Sequence, residues 1–176
     1  VSASPSTITA STGTSTITVT ARDANGNPIA GATVVLSATG TGNTLTQPAA
    51  TTVANGQATG TLSSTVAEAK TVSAAITGVT VTQTAAVTVV VGAVSAAQST
   101  VSASPATITA ASGTSTITVT VRDANNNPIS GRAVTLAVSG TGNTLTQPVG
   151  TTNASGVVTG TLSSTVAEAK TVTATV

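Results

Sequence analysis

Nine charged side chains carry nearly all the chemistry this 176-residue sequence could perform: Arg22, Asp23, Glu68, Lys70, Arg122, Asp123, Arg132, Glu168 and Lys170. There is no Cys, His, Met, Phe, Trp or Tyr. Without a thiolate or an imidazole, zinc sites, haem ligation and Ser-His-Asp or Cys-His catalysis are excluded. Without aromatics there is no base-stacking platform and no aromatic interface anchor. The net charge of +1 is a difference between small numbers, so the pI of 8.6 implies neither a basic patch nor a nucleic-acid partner.

Two spacings among the polar residues resemble chemistry. Asp23, Asn25 and Asn27 follow the D-x-N-x-N opening of a calcium loop, as do Asp123, Asn125 and Asn127. Such a loop needs Gly at its sixth position and a bidentate Glu at its twelfth, where this chain has Pro28 and Val34. The spacing therefore predicts a turn in which a short polar side chain caps its own backbone. Asn126 replaces Gly26, and Asn tolerates the left-handed conformation that a turn needs. Glu68 and Lys70 stand two apart in Ala67-Glu68-Ala69-Lys70, read as an exposed connector. An exposed pair of this kind contributes about 0–1 kcal/mol. The sharper alternative is a cross-link from Lys70 to an Asn, assisted by Glu68, which requires both groups to be buried. Asn153-Ala154-Ser155 fits a glycosylation sequon, but Val53 replaces the Asn in the matching earlier segment. No catalytic, cofactor-binding or metal-ligating residue is assigned, no cofactor is expected, and the chain is expected not to be an enzyme.

These residues are set in strongly β-forming sequence. Thr, Val and Ile account for 74 residues, which disfavours helices and suits strands. The chain repeats itself: VSASPSTITA at 1–10 returns as VSASPATITA at 101–110, and TLSSTVAEAKTV at 61–72 returns unchanged at 161–172. With a period of 100 residues, 1–76 and 101–176 are identical at 55 of 76 positions. That period suits a domain that folds by itself rather than a solenoid unit. The expected organisation is a β-sandwich over 1–92, a short linker at 93–100, and a second sandwich over 101–176 that lacks its last strand.

Period-2 alternation places Ile17, Val19, Val34, Leu36, Leu62, Val72, Ala74 and Ile76 in one core. Their counterparts are Ile117, Val119, Val134, Leu136, Leu162, Val172, Ala174 and Val176. Thr16, Thr18, Thr20, Thr71 and Ser73 should face outward. Thr77-Gly78 reads as a two-residue hairpin turn. Val79, Val81, Val87, Val89 and Val91 then form a last strand with an irregularity near 84–86. Asn25-Gly26-Asn27-Pro28, Gly40-Thr41-Gly42-Asn43 and Asn55-Gly56 punctuate the strands. Six or seven short strands in about 90 residues indicate tandem antiparallel sandwiches, an all-β fold.

The order TSTITVTARDANGNPIAGATVVLSA, GNTLTQPAATT, ANGQATGTLSSTVAEAKTVSA resembles a bacterial immunoglobulin-like domain of group 1, the invasin and intimin type. The resemblance runs from about Ser4 to Val91 and again from Ser104 to the end. It implies tandem Ig-like modules on a bacterial surface protein, forming a stalk of an adhesin type. The alternatives are a self-assembling extracellular filament, sheath or phage decoration, and a module whose loops recognise a receptor or glycan. Where many members have Ala-Gly, this chain has Ala67-Glu68-Ala69-Lys70; no family-wide catalytic residue is carried over. The most divergent block is 31–40, with Arg132 for Ala32, so a contact surface would be sought there first.

The expected partners are neighbouring Ig-like domains in the same chain or a filament, with no nucleic acid and no direct membrane insertion. No apolar run reaches the roughly 18 residues of a membrane span. The start at Val1, without Met or a leader, predicts an excerpt or a processed chain. Val176 aligns with Ile76, so the strand at Thr171–Val176 should present an unpaired edge open to strand addition.

Overall fold

The computed structural model describes residues 1–176, with fifteen strands and no helix. Two compact units, Val1–Gly92 and Ala93–Val176, divide it. The first runs β1 (Ser2–Ser4), β2 (Thr7–Thr9), β3 (Ser15–Thr20), β4 (Val34–Ala38), β5 (Asn43–Thr46), β6 (Gln57–Ser64), β7 (Ala69–Ile76), β8 (Val79–Thr80) and β9 (Ala85–Val90). One sheet has the order β1-β3-β6-β5 and the other β2-β9-β7-β4, with β8 also on β7. All pairs are antiparallel except β2 with β9, where Thr7, Ile8 and Thr9 lie beside Thr88, Val89 and Val90.

Alternation builds the core. Ile17 and Val19 of β3 and Ala58 and Leu62 of β6 meet Val34 and Leu36 of β4, Val72 and Ala74 of β7 and Ala85, Val87 and Val89 of β9. The expected inward residues are buried as read, except that Ile76 is only half-buried. Thr16 and Thr71 are exposed, while Thr18, Thr20 and Ser73 are half-buried. The expected hairpin forms at Thr77 (φ 48°) and Gly78 (φ 83°), which fold Val79 back opposite Ile76. The last strand differs from expectation. It is two segments, β8 and β9, both on the same neighbour β7, with the break over residues 81–84. Val79 is exposed rather than inward, because β8 covers only the end of β7.

The second unit runs β10 (Thr100–Ser104), β11 (Thr114–Thr120), β12 (Thr135–Val138), β13 (Asn143–Thr146), β14 (Val157–Ser164) and β15 (Val172–Thr175). Its first sheet, β10-β11-β14-β13, repeats that of the first unit. Its second sheet is only β12-β15. Ile117, Val119, Val134, Leu136 and Leu162 are buried, but Val172 and Ala174 are half-buried and Val176 is exposed. The burial expected of these last three depended on a strand that has no counterpart here. Residues 93–99, read as part of a connector, are folded onto the second unit. Val94 bridges Asp123, and the Ser95 N–H donates to the Arg122 carbonyl at 2.8 Å. Thr100, also assigned to that connector, lies in β10.

The outer edges of β4 and β12 are closed by side chains. The Gln47 carboxamide accepts from the Leu36 N–H at 2.6 Å and donates to the Leu36 carbonyl at 2.9 Å, and Gln147 does the same at Leu136 with 2.8 and 2.9 Å. A glutamine thus stands in for a neighbouring strand and blunts an edge open to unwanted pairing.

Candidate functional site

The structure corrects the reading of Ala67-Glu68-Ala69-Lys70 as an exposed connector. Ala69 and Lys70 begin β7, and the Lys70 side chain is 0% exposed. Lys70 shares a strand face with Val72 and Ala74, two and four residues on, and that face points into the sandwich. A buried ammonium is costly unless it is paired and hydrogen-bonded. The Lys70 Nζ donates to Glu68 Oε1 and, at 2.5 Å, to the Thr41 carbonyl. Glu68 Oε1 also accepts from the Thr41 N–H at 2.9 Å, so the pair grips both backbone groups of Thr41. The second unit repeats this clamp: Lys170 Nζ lies 2.6 Å from Glu168 Oε1 and 2.8 Å from the Thr141 carbonyl.

Gly40 makes the grip feasible. It has φ +78°, and a Cβ there would lie 2.3 Å from Glu68 Oε1 and 2.9 Å from Lys70 Nζ. The lysine hydrogen bond, then the Thr41 N–H, hold the Glu68 carboxyl below its ordinary range, and Glu168 is lowered in the same way by Lys170 and Thr141. Cross-linking needs a neutral amine next to an asparagine carbonyl carbon. Here an ionised, partly exposed carboxylate pairs with the lysine, and the Asn43 amide instead donates to the Thr39 carbonyl at 2.9 Å. The arrangement can anchor the turn between β4 and β5 to the start of β7. It is not organised for amide exchange.

The Asp23 segment is a capped turn. Asp23 Oδ1 accepts from the backbone N–H groups of Asn25 and Asn27 at 2.9 and 2.8 Å, and its Oδ2 accepts from Asn27 Nδ2. These bonds, led by the Asn27 side chain, lower the Asp23 pKa. Asp123 makes the same contacts with Asn125 and Asn127. The carboxylate is therefore spent on its own loop, as the Pro28 and Val34 substitutions suggested. Gly26 and Asn126 both take positive φ, 84° and 69°, which is the exchange expected there. Arg22 does not pair with Asp23; its Nη1 donates to the Gly26 carbonyl at 2.6 Å and thus braces the same turn. Asn153 Oδ1 accepts from the N–H groups of Ser155 and Val157, so the sequon asparagine also caps a turn. In the divergent block, Ala32 is buried and Arg132 is exposed.

The profile of the bacterial Ig-like domain, group 1, matches residues 1–90 and again 98–176. The chain belongs to that family. Among solved structures, InvD of Yersinia pseudotuberculosis is 31% identical over 98% of this bacterial Ig-like chain, with a TM-score of 0.67. The Escherichia coli adhesin FdeC is 27% identical over 93%, with a TM-score of 0.58. Invasin, a bacterial integrin-binding protein, shares the fold at 22% identity over 98% and a TM-score of 0.69. The chain spans 51% of the InvD chain, 54% of FdeC and 35% of invasin. No curated protein matches the sequence. The invasin-type resemblance and the all-β fold are thus established, and the related structures are Ig-like domains of bacterial adhesins and invasins rather than enzymes.

Proposed function

We propose that these two Ig-like units are a non-catalytic spacer in a bacterial cell-surface protein of the adhesin type, holding a binding region away from the cell. The observation that carries this reading is the repetition itself. Two units identical at 55 of 76 aligned positions each have local contacts and repeat the same clamp, turn cap and edge-closing glutamine. A recognition surface would instead be expected where one unit departs from the other. The divergent block contributes a single exposed arginine, and neither unit has an aromatic anchor. The similarity to InvD and FdeC supports an extracellular bacterial surface location.

The mechanism is mechanical. The longest strands have 8 residues, which at about 3.3 Å each gives roughly 26 Å of rise per unit before any connector. Modules with only local contacts add length almost independently. The test is a series of proteins with two, three, four and six copies of residues 1–100, imaged by electron microscopy. The spacer reading expects contour length to grow linearly, by roughly 25–40 Å per copy, with no lateral association. Compact or laterally bundled particles would overturn it, and bundling would favour the filament alternative.

A further inference from the structure

We infer that Asn25 is a modification site: its side-chain amide is lost to attack by the Gly26 nitrogen, and water opens the resulting succinimide to aspartate and isoaspartate. Of the nine asparagines in the chain, only Asn25 and Asn55 precede glycine. Both lie in the first unit; the aligned pairs in the second are Asn125-Asn126 and Ser155-Gly156. The residue that follows decides whether the backbone can close the ring. Glycine presents its nitrogen with no Cβ beside it. Pro28 and Pro128, after Asn27 and Asn127, have no N–H to give up. Thr44 and Thr144, after Asn43 and Asn143, are β-branched and crowd the nitrogen.

The fold separates the two Asn-Gly pairs. The same turn carries both: the Gly26 N–H donates to the Asp23 carbonyl at 3.0 Å and the Gly56 N–H to the Val53 carbonyl at 2.8 Å, with φ of 84° and 78°. Gly56 is buried, its carbonyl accepts from the Ala21 N–H at 2.8 Å, and a Cβ on it would run into the Ala21 carbonyl. Asn55 is tied down as well. Its Oδ1 accepts from the Gln57 N–H at 3.0 Å and its Nδ2 donates to Gln57 Oε1 at 3.1 Å. Asn25 gives only its backbone N–H, to Asp23 Oδ1 at 2.9 Å, so its carboxamide is free to swing toward the Gly26 nitrogen. A Cβ on Gly26 would meet nothing within 4 Å, which leaves the turn room to open. Arg22 holds the Gly26 carbonyl, a group that takes no part in the reaction. Asn25 and Gly26 are both exposed. In the second unit, where residues 93–99 lie against the matching turn, Asn126 is still exposed and Asn125 half-buried, so the tip of this turn stays at the surface beside a packed connector.

The step balances without an oxidant or a reductant. The Gly26 nitrogen gives its proton to a solvent base and bonds to Asn25 Cγ; the Cγ–Nδ2 bond breaks, and ammonia leaves with a proton from solvent. Water then adds to one of the two ring carbonyls. Opening at Cγ restores the main chain and leaves aspartate. Opening at the Asn25 main-chain carbonyl routes the backbone through the side chain and leaves isoaspartate. Either carboxyl is ionised at neutral pH, so the net charge falls by one, from +1 to zero. The first unit thus acquires a charge, and in part a lengthened backbone, at the turn that Asp23 caps. This goes beyond the spacer reading and does not depend on it.

The test incubates the whole 176-residue chain in mildly alkaline buffer and follows it by isoelectric focusing and intact-chain mass spectrometry. Electron-transfer fragmentation places the change and tells isoaspartate from aspartate. More acidic forms should accumulate, converted at Asn25 and with isoaspartate among the products. Asn25 should convert at least about tenfold faster than Asn55, whose two side-chain bonds must open first. Gly26→Asn copies the turn of the second unit, where Asn126 holds φ 69°, so this variant should fold and slow Asn25 to the rate of Asn125. The converse change, Asn126→Gly, should start conversion at Asn125. Asn25 left intact while a free peptide of residues 20–30 converts would overturn the inference, as would aspartate at 25 without isoaspartate. So would conversion of Asn55 as fast as Asn25, or an unchanged rate in Gly26→Asn.

Discussion

Leu62 and Leu162 lie in the identical segment TLSSTVAEAKTV, so replacing each with Ala isolates the effect of what covers them. Leu62 is 0% exposed and belongs to the core cluster with Ala85, Val87 and Val89 of β9. Leu162 is 6% exposed and lines the open groove. Either substitution removes three carbons, about 2.4 kcal/mol at roughly 0.8 kcal/mol each. Under β9 the vacated space is enclosed; a residual cavity of about 50 Å³ adds about 1.2 kcal/mol at roughly 24 cal/mol per Å³. Leu62→Ala should therefore destabilise the first unit by about 3.5 kcal/mol. In the second unit the space opens into a groove that solvent already enters, so the cavity contribution vanishes and Leu162→Ala should cost about 2 kcal/mol. Urea unfolding followed by far-ultraviolet circular dichroism suits a chain without aromatics, and hydrogen exchange assigns each transition to its unit. Equal costs in the 176-residue chain, or a larger one at Leu162, would refute the argument that β9 seals the first core.

Acid should act through the clamps. The Glu68 and Glu168 carboxyls lie below their ordinary value of 4.5 in the folded chain, so their contribution is complete above that value and is lost as pH falls through the lowered pKa. The melting temperature should stay level from pH 7 to about 5.5 and drop below about 4.5, and Glu68→Gln with Glu168→Gln should flatten the drop. A drop of the same size in the double variant would show that other groups carry it. Thr77 holds φ 48°, a conformation that is strained for a β-branched residue, in a two-residue hairpin turn before Gly78. Thr77→Asn supplies the preferred Asn-Gly pair and should stabilise the first unit by about 0.5–1 kcal/mol in the same urea assay; destabilisation would mean that the threonine side chain contributes more than its backbone strain costs.

Much of the fold was legible because its signals are local. Alternation in Ser15–Thr20 and Val34–Ala38 marked the inward residues, and Thr77-Gly78 marked a hairpin. Asp23 was read as a turn cap because the calcium ligands were missing at fixed offsets, and its two oxygens are indeed taken up by Asn25 and Asn27. Lys70 was misread because charge outweighed period. Counted at intervals of two, Lys70, Val72 and Ala74 fall on one face, and that pattern would have placed the lysine inside. β1, β2 and β5 were not read as strands. They are three or four residues long, and long-range pairing rather than local pattern defines them.

The repeat separates local preference from tertiary support. Residues 61–72 and 161–172 are identical, yet β7 begins at Ala69 while β15 begins only at Val172. The three residues gained in the first unit are those that β9 pairs: Ala69 with Thr88, Lys70 with Val87, Thr71 with Ala86. The same strand is the sole partner of β2, and residues 107–109 of the second unit, Thr-Ile-Thr as in β2, form no strand without it. β-propensity is therefore equal in the two copies, and the difference comes from paired backbone groups and covered apolar faces. Each valine that β9 buries contributes about 1.5–3 kcal/mol of transfer free energy, enough to offset the entropy of ordering the residues beside it. β9 thus joins β2 to β7 and seals the core of the first unit in one step.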